Sequence, residues 1–166
     1  LGRDTGFVET LEKAREFLKR EGKTKEQESS GRKVLGFGVA SMFYGMSLGA
    51  IGRLLDRGGA RVELLKDGSV NIYIGCTEMG QGALTVIAQI ASRALGVSLD
   101  RISVHNVDTD VVPDSGPTVA SRTTVISGNA VLDAITKIIT RMTRAAEEAL
   151  GGKLDYNPRQ QLFKSE

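Results

Sequence analysis

"ARVELLKDGSVNIYIGCTEMGQGALTVIAQIASRALG", residues 60–96, changes its hydrophobic period part-way along. Val62 and Leu64 alternate with polar neighbours before Asp67-Gly68, and Val70, Ile72 and Ile74 alternate after it. A period of two on each side of an Asp-Gly pair predicts a β-hairpin closed by a tight turn. From Leu84 the period becomes helical: Leu84, Ile87, Ala88, Ala91 and Leu95 fall on one stripe, Val86 and Ile90 widen it, and Gly96 supplies the stop. A mostly buried helix should therefore follow the second strand, across a glycine-rich turn.

Working outward, "RISVHNV" (101–107) reads as a further strand with Ile102 and Val104 on one face and His105 on the other. "DTDVVPDSGPTVASRTT" (108–124) is a loop, and a last helix runs from about Val125 to about Leu150 through Val131, Ile135, Ile138 and Met142. On the other side, "VLGFGVASMFYG" (34–45) has the apolar, aromatic look of a buried strand, with Met42, Phe43, Tyr44 and Met46 assigned to core packing ahead of a pocket wall. "MSLGAIGRLLDRGGA" (46–60) reads as an irregular connection. The densely charged N-terminus divides into an amphipathic helix, "VETLEKAREFLKREG" (8–22), capped at Gly22, and a mobile tether, "KTKEQESSGRK" (23–33). The final "GGKLDYNPRQQLFKSE" should fray. The expected class is α+β, a mixed sheet with a β-hairpin and two long helices. Its organisation is a helix and linker over 1–33, a main portion over 34–150 and a flexible tail over 151–166.

At 166 residues, 40% of them hydrophobic, the chain is long enough for a real core. A net charge of +2 without a basic tract argues against a nucleic-acid partner. No apolar run reaches the roughly 18 residues of a membrane span, and no signal-peptide core is visible, so a cytoplasmic location is expected. Cys76 is the only cysteine and His105 the only histidine; neither a disulfide nor a Cys/His metal site can be built from them. Asp108, Asp110 and Asp114 lack calcium-loop spacing and read as turn-formers. The chain begins at leucine, as a processed or excised piece would.

Two stretches carry candidate chemistry. In "EMGQGALT" (78–85), Gly80 and Gly82 remove side chains where backbone could meet a ligand, and the first-turn N–H groups of the helix suit an anion or oxo group. Gln81 has an amide donor and acceptor but no acid–base function, so it could position a bound group; equally, this could be a plain strand-to-helix turn with Gln81 facing water. In "PDSGPTVASRTT" (113–124), Ser115, Thr118, Ser121, Thr123 and Thr124 crowd before a helix, more hydroxyls than capping requires, which suits an oxygen-rich, phosphate-bearing ligand.

"TEMGQG" followed some 35 residues later by "SGPTVASRTT" resembles the molybdenum-binding large subunit of the xanthine dehydrogenase and aldehyde oxidase family, over about residues 31–144. The resemblance implies a molybdopterin, with or without a cytosine nucleotide, that brings molybdenum on its own dithiolene. It places Gln81 near the metal's oxo ligand and Gly80 and Gly82 where the backbone comes close. Thr118, Ser121 and Thr123 would line the pterin and its pyrophosphate, while Val119 and Ala120 would face the substrate. The implied reaction is hydroxylation of a purine, other N-heterocycle or aldehyde with water as oxygen source. Electrons would leave through iron–sulfur clusters and usually FAD on partner subunits. The family's general base, a glutamate in a Gly-x-Gly-Glu motif, has no counterpart after Arg144. The expectation is thus one cofactor-binding portion of a larger subunit, inactive alone. The fragment reading predicts a large exposed apolar patch, of which residues 34–54 form part, and the alternative is a non-catalytic assembly element that packs an exposed apolar face against neighbouring domains or subunits.

Overall fold

The computed structural model describes residues 6–24, 38–42 and 44–165. The chain forms two compact units, residues 1–44 and 45–166; of the tether expected over 23–33, Lys23 and Thr24 belong to the helix below and the rest, with the boundary expected near residue 33, lies outside the described residues. In the first unit, α1 (Phe7–Thr24) is the expected amphipathic helix, with Ala14 and Leu18 half-buried. It runs through Gly22 to Thr24 and does not end there. Of the stretch 34–45, the described residues form no strand: 38–42 and 44–45 are irregular and exposed. Met42 (74% exposed), Tyr44 (70%) and Met46 (55%) are not core residues either. Apolar composition announced a need for burial, but among the described residues these take no part in a sheet. Phe43 is outside the described residues.

The second unit is built on the hairpin, which a one-turn helix, α2 (Gly52–Leu55), precedes. β1 (Ala60–Leu64) and β2 (Val70–Ile74) pair antiparallel with Val62 opposite Ile72. Gly68 N–H bonds the Leu65 carbonyl and Leu65 N–H bonds that of Ser69, so residues 66–68 make the turn, with Gly68 at φ +80°. β3 (Ile102–His105) lies parallel to β2, Tyr73 opposite His105, giving the mixed sheet β1-β2-β3. A parallel pair needs a crossover, and α3 (Ala83–Leu95) provides it. Val70, Ile72 and Ile74 face Ile87, Ala91 and Leu95 of α3 and Val131 and Ile135 of α4 (Thr123–Leu150), all fully buried. The other sheet face carries a cross-strand stack: the Arg61 guanidinium lies 3.9 Å from the Tyr73 ring centroid, and the His105 ring stacks on Tyr73 at 4.9 Å. His105 is therefore a surface stacking residue. Among the described residues no helix is long and apolar enough to cross a membrane.

The expected tail is instead a hairpin, β4 (Leu154–Asn157) and β5 (Leu162–Ser165). Tyr156 faces Phe163 across it, and the Asn157 side chain accepts the N–H groups of Arg159 and Gln160 in the turn. The hairpin docks on the end of α3: Tyr156 Oη donates to the Leu95 carbonyl at 2.9 Å and Gln161 Nε2 to that of Gly96 at 2.6 Å.

Candidate functional site

The registers bring the start of β1 beside the ends of β2 and β3. Segments 56–59, 75–82 and 106–122 therefore meet at one end of the sheet, outside the carboxyl ends of its parallel strands, where open α/β sheets place ligands. The two stretches singled out in the sequence are joined there. Ser115, 2% exposed, accepts from Gly75 N–H at 2.9 Å and donates to the Gly59 carbonyl at 2.7 Å. Three residues on, Thr118 Oγ1 accepts from Thr77 N–H at 2.8 Å. Residues 113–115 wedge between two glycines that must lack side chains. A Cβ at Gly59 would stand 2.7 Å from the Asp114 carbonyl oxygen, and one at Gly75 2.6 Å from that of Pro113. Asn106 Nδ2 donates to the Cys76 carbonyl at 3.1 Å, tying the end of β3 to the same turn. Burial pushes the Cys76 thiol up, as suits a core cysteine.

The first turn of α3 does not present its N–H groups unsatisfied. Glu78 folds over it, one carboxylate oxygen accepting from Gly80 (2.8 Å) and Gly82 (3.0 Å) and the other from Leu84 (3.1 Å). The N–H groups of Leu84, Gly82 and Gly80 hold the carboxyl below the usual carboxylate range. An external anion at this helix end would compete with a charge already built in. Gln81 is exposed but committed to its own loop: its Oε1 accepts from Met79 N–H at 2.6 Å and its Nε2 donates to the Thr77 carbonyl at 2.8 Å. Among the described residues, adjacent ones in the chain aside, no heavy atom lies within 4 Å of where a Cβ would stand at Gly80 or Gly82, so the loop is open on that side.

The second loop hangs on a residue that the sequence reading passed over. Arg122, 1% exposed, bonds Asp56 Oδ1 through Nε at 2.6 Å, the Ser115 and Pro117 carbonyls through Nη1 at 3.0 and 2.7 Å, and the Arg57 carbonyl through Nη2. Asp56 Oδ2 accepts from Leu48 N–H, and the Ala120 carbonyl from Ser47 N–H. At the surface Asp114 pairs with Arg57 at 2.6 Å; Gly116 N–H and Arg57 together hold its carboxyl down. Asp108 accepts from Asp110 N–H, a turn-forming role. Of the five crowded hydroxyl residues, Ser115 alone is fully buried. Thr118 and Thr123 are half-buried, Ser121 and Thr124 exposed, whereas Ser115 is consumed in the scaffold. Val119 is 47% exposed and Ala120 half-buried; Ala120 and Ser121 both take φ +52°. A visible hint of Arg122 was a cation placed directly before a helix start, against the dipole; Glu78 was visible as an acid just ahead of a glycine helix start.

The profile of the molybdopterin cofactor-binding domain family matches residues 10–162. The chain belongs to that family. It is 36% identical over 133 residues, 80% of its length, to xanthine dehydrogenase 1 of Arabidopsis thaliana. It is 43% identical over 88 residues, 53% of its length, to the xanthine dehydrogenase/oxidase of Felis catus. The chain spans 10% and 7% of those two relatives. Reconstituted CO dehydrogenase from Oligotropha carboxidovorans superimposes with a TM-score of 0.59 at 28% identity, over 66% of this chain and 15% of that one. The resemblance carried by "TEMGQG" and "SGPTVASRTT" is borne out, and so is the α+β class. In this molybdopterin cofactor-binding domain the two motifs are neighbours because Ser115 and Thr118 make them so.

Proposed function

We propose that this end of the sheet forms part of the pocket that holds a molybdopterin, with or without a cytosine nucleotide, in a xanthine dehydrogenase-like hydroxylase. The observation that carries the reading is the Thr118–Thr77 bond, which sets the open Gly80–Gly82 turn beside the 118–121 tip. The hydroxyls of Thr118, Ser121 and Thr123 fit an oxygen-rich group, while Glu78 occupies the N–H groups at the start of α3. Asp56 and Asp114 are paired with arginines and Glu78 with backbone N–H groups, so these three carboxylates are compensated within the fold. Gly80, Gly82, Thr118, Ser121 and Thr123 would hold the group, and Val119 and Ala120 would face a purine, N-heterocycle or aldehyde. When bound, the molybdenum and its pterin supply the two-electron oxidation of hydroxylation with water as the oxygen source. Gln81 contributes position and polarity at the metal centre, not proton transfer. To reach outward it must give up its bonds to Met79 and Thr77, each worth about 1 kcal/mol net. The rest of the large subunit and iron–sulfur and FAD partners would complete the enzyme, and this chain alone would turn over no substrate.

Met79 (68% exposed), Val107 (88%) and Val119 (47%) project at this same end. They favour a second reading, in which the face serves only to pack against neighbouring domains. Metal and pterin analysis of the chain, produced in a host that makes the cofactor, separates the two. Molybdenum and pterin in equal amounts support the cofactor reading; an oligomer with neither overturns it in favour of assembly.

A further inference from the structure

Arg122 donates from three of its nitrogens to one carboxylate and three carbonyls, and all four acceptors belong to the segments that frame the site. A trans peptide unit points its N–H opposite to its carbonyl. Drawing the Pro117 carbonyl inward to Nη1 therefore turns the N–H of Thr118 outward, toward the side on which the 118–121 tip is exposed. The same guanidinium fixes the Ser115 carbonyl, and with it the hydroxyl that spans Gly59 and Gly75. Such an arrangement needs a planar group with several donors in fixed directions; an ammonium on a flexible stem cannot reproduce it. A cation directly before the first turn of α4 also opposes the helix dipole. Asp56 offsets it, at 8% side-chain exposure, and binds Leu48 N–H with its second oxygen.

We propose that the buried Arg122–Asp56 pair is a positioning device for the cofactor loop. It touches no ligand itself; it aims the Thr118 peptide and the hydroxyl-bearing tip by holding the carbonyls of Ser115, Pro117 and Arg57. This rests on the cofactor reading above. Partners that orient ligand-binding groups from behind typically change affinity by about 10–100-fold when replaced.

The test compares wild type, Arg122→Lys and Asp56→Asn, each produced as the full chain in a cofactor-making host. Three quantities are read well below the melting temperature: backbone amide exchange, pterin and molybdenum per folded chain, and the circular dichroism induced in bound pterin. In Arg122→Lys, exchange over residues 115–122 should rise about tenfold or more, while the amides of β2 and α3 keep their protection. Pterin content should fall by about tenfold, and the dichroism of the remaining pterin should change shape. Asp56→Asn, which keeps the shape of the partner and removes its charge, should move all three in the same direction. Unchanged exchange over 115–122 in Arg122→Lys overturns the positioning role by itself. Loop exchange that rises only together with that of the core reduces the pair to global stability and overturns it too. Wild-type chain without pterin overturns the cofactor reading and, with it, the purpose assigned to the pair, so the two failures are told apart.

Discussion

Ser115→Ala removes one oxygen atom and with it two of the bonds that join the halves of the site. The Ser115 hydroxyl is an acceptor for Gly75 N–H at 2.9 Å and a donor to the Gly59 carbonyl at 2.7 Å, from a residue 2% exposed. The alanine leaves one backbone donor and one acceptor without these partners, and each orphaned group costs about 1–3 kcal/mol. The two together give about 4 kcal/mol, a fall in Tm of about 8–15 °C for a chain of this size. Refilling by water is opposed by the wedge itself, since the Pro113 and Asp114 carbonyl oxygens lie 2.6 and 2.7 Å from where Cβ atoms at Gly75 and Gly59 would stand. Thermal unfolding by circular dichroism, with amide exchange at Gly75, checks this. The Gly75 amide should lose protection even at temperatures where the variant remains folded, and the Thr77 amide, held by Thr118 on the same loop, should follow. A Ser115→Ala protein that melts within ~2 °C of wild type with Gly75 still protected would refute the idea that this hydroxyl joins the loops.

Glu78 has its pKa depressed by the N–H groups it accepts, so its stabilising contribution is fully present above the ordinary carboxylate range and is lost as pH falls through the depressed value. The amide shifts of Gly80, Gly82 and Leu84 should titrate together below that ordinary range and lose the transition in Glu78→Gln; titration at or above it would contradict the capping role. At Gly96, φ is +76° and a Cβ would stand 1.6 Å from the Pro158 carbonyl oxygen. Gly96→Ala should therefore release the β4–β5 hairpin, losing the Tyr156 and Gln161 bonds and about 3 kcal/mol in all. Limited proteolysis after Gly151 reads this, and an equally resistant hairpin would count against it.

The hairpin, α3 and α4 were legible because their periods record burial in place. Val70, Ile72 and Ile74 mark a strand face, and Ile87, Ala91, Leu95, Val131 and Ile135 mark the helix faces that cover it. The motifs of the site were legible as types of residue. Their division of labour was not, because it depends on distant partners: Arg122 meets Asp56 across 66 positions, and Ser115 meets Gly59 across 56. Hydroxyl counting treated Ser115 and Thr118 alike, yet one is buried scaffold and the other stands at the rim. The terminal hairpin was missed for a related reason. Its local composition is polar, and what holds it is the Tyr156–Phe163 pair and a dock on the end of α3, neither of which a local pattern shows.

The two site loops differ in how much of the cost of ordering is already met in folding. Around the 118–121 tip, the carbonyls of Ser115, Pro117 and Ala120 and the hydroxyl of Thr118 are each fixed by a partner outside the tip. Inside it, Ala120 and Ser121 both hold φ +52°, a conformation that costs an L-residue about 1–2 kcal/mol. Such backbone persists where the surroundings over-determine it, and here Arg122 on one side and Ser47 on the other do so. The tip would thus meet a ligand with its ordering cost already met. The Gly80–Gly82 turn is the opposite case. Both ends of the Gln81 amide are spent on Met79 and Thr77, and engagement with a ligand requires that these bonds be exchanged. A cofactor entering this end of the sheet would find one wall set and one that must turn, so the conformational response to binding should concentrate at Gln81, with the hydroxyl loop acting as the fixed reference.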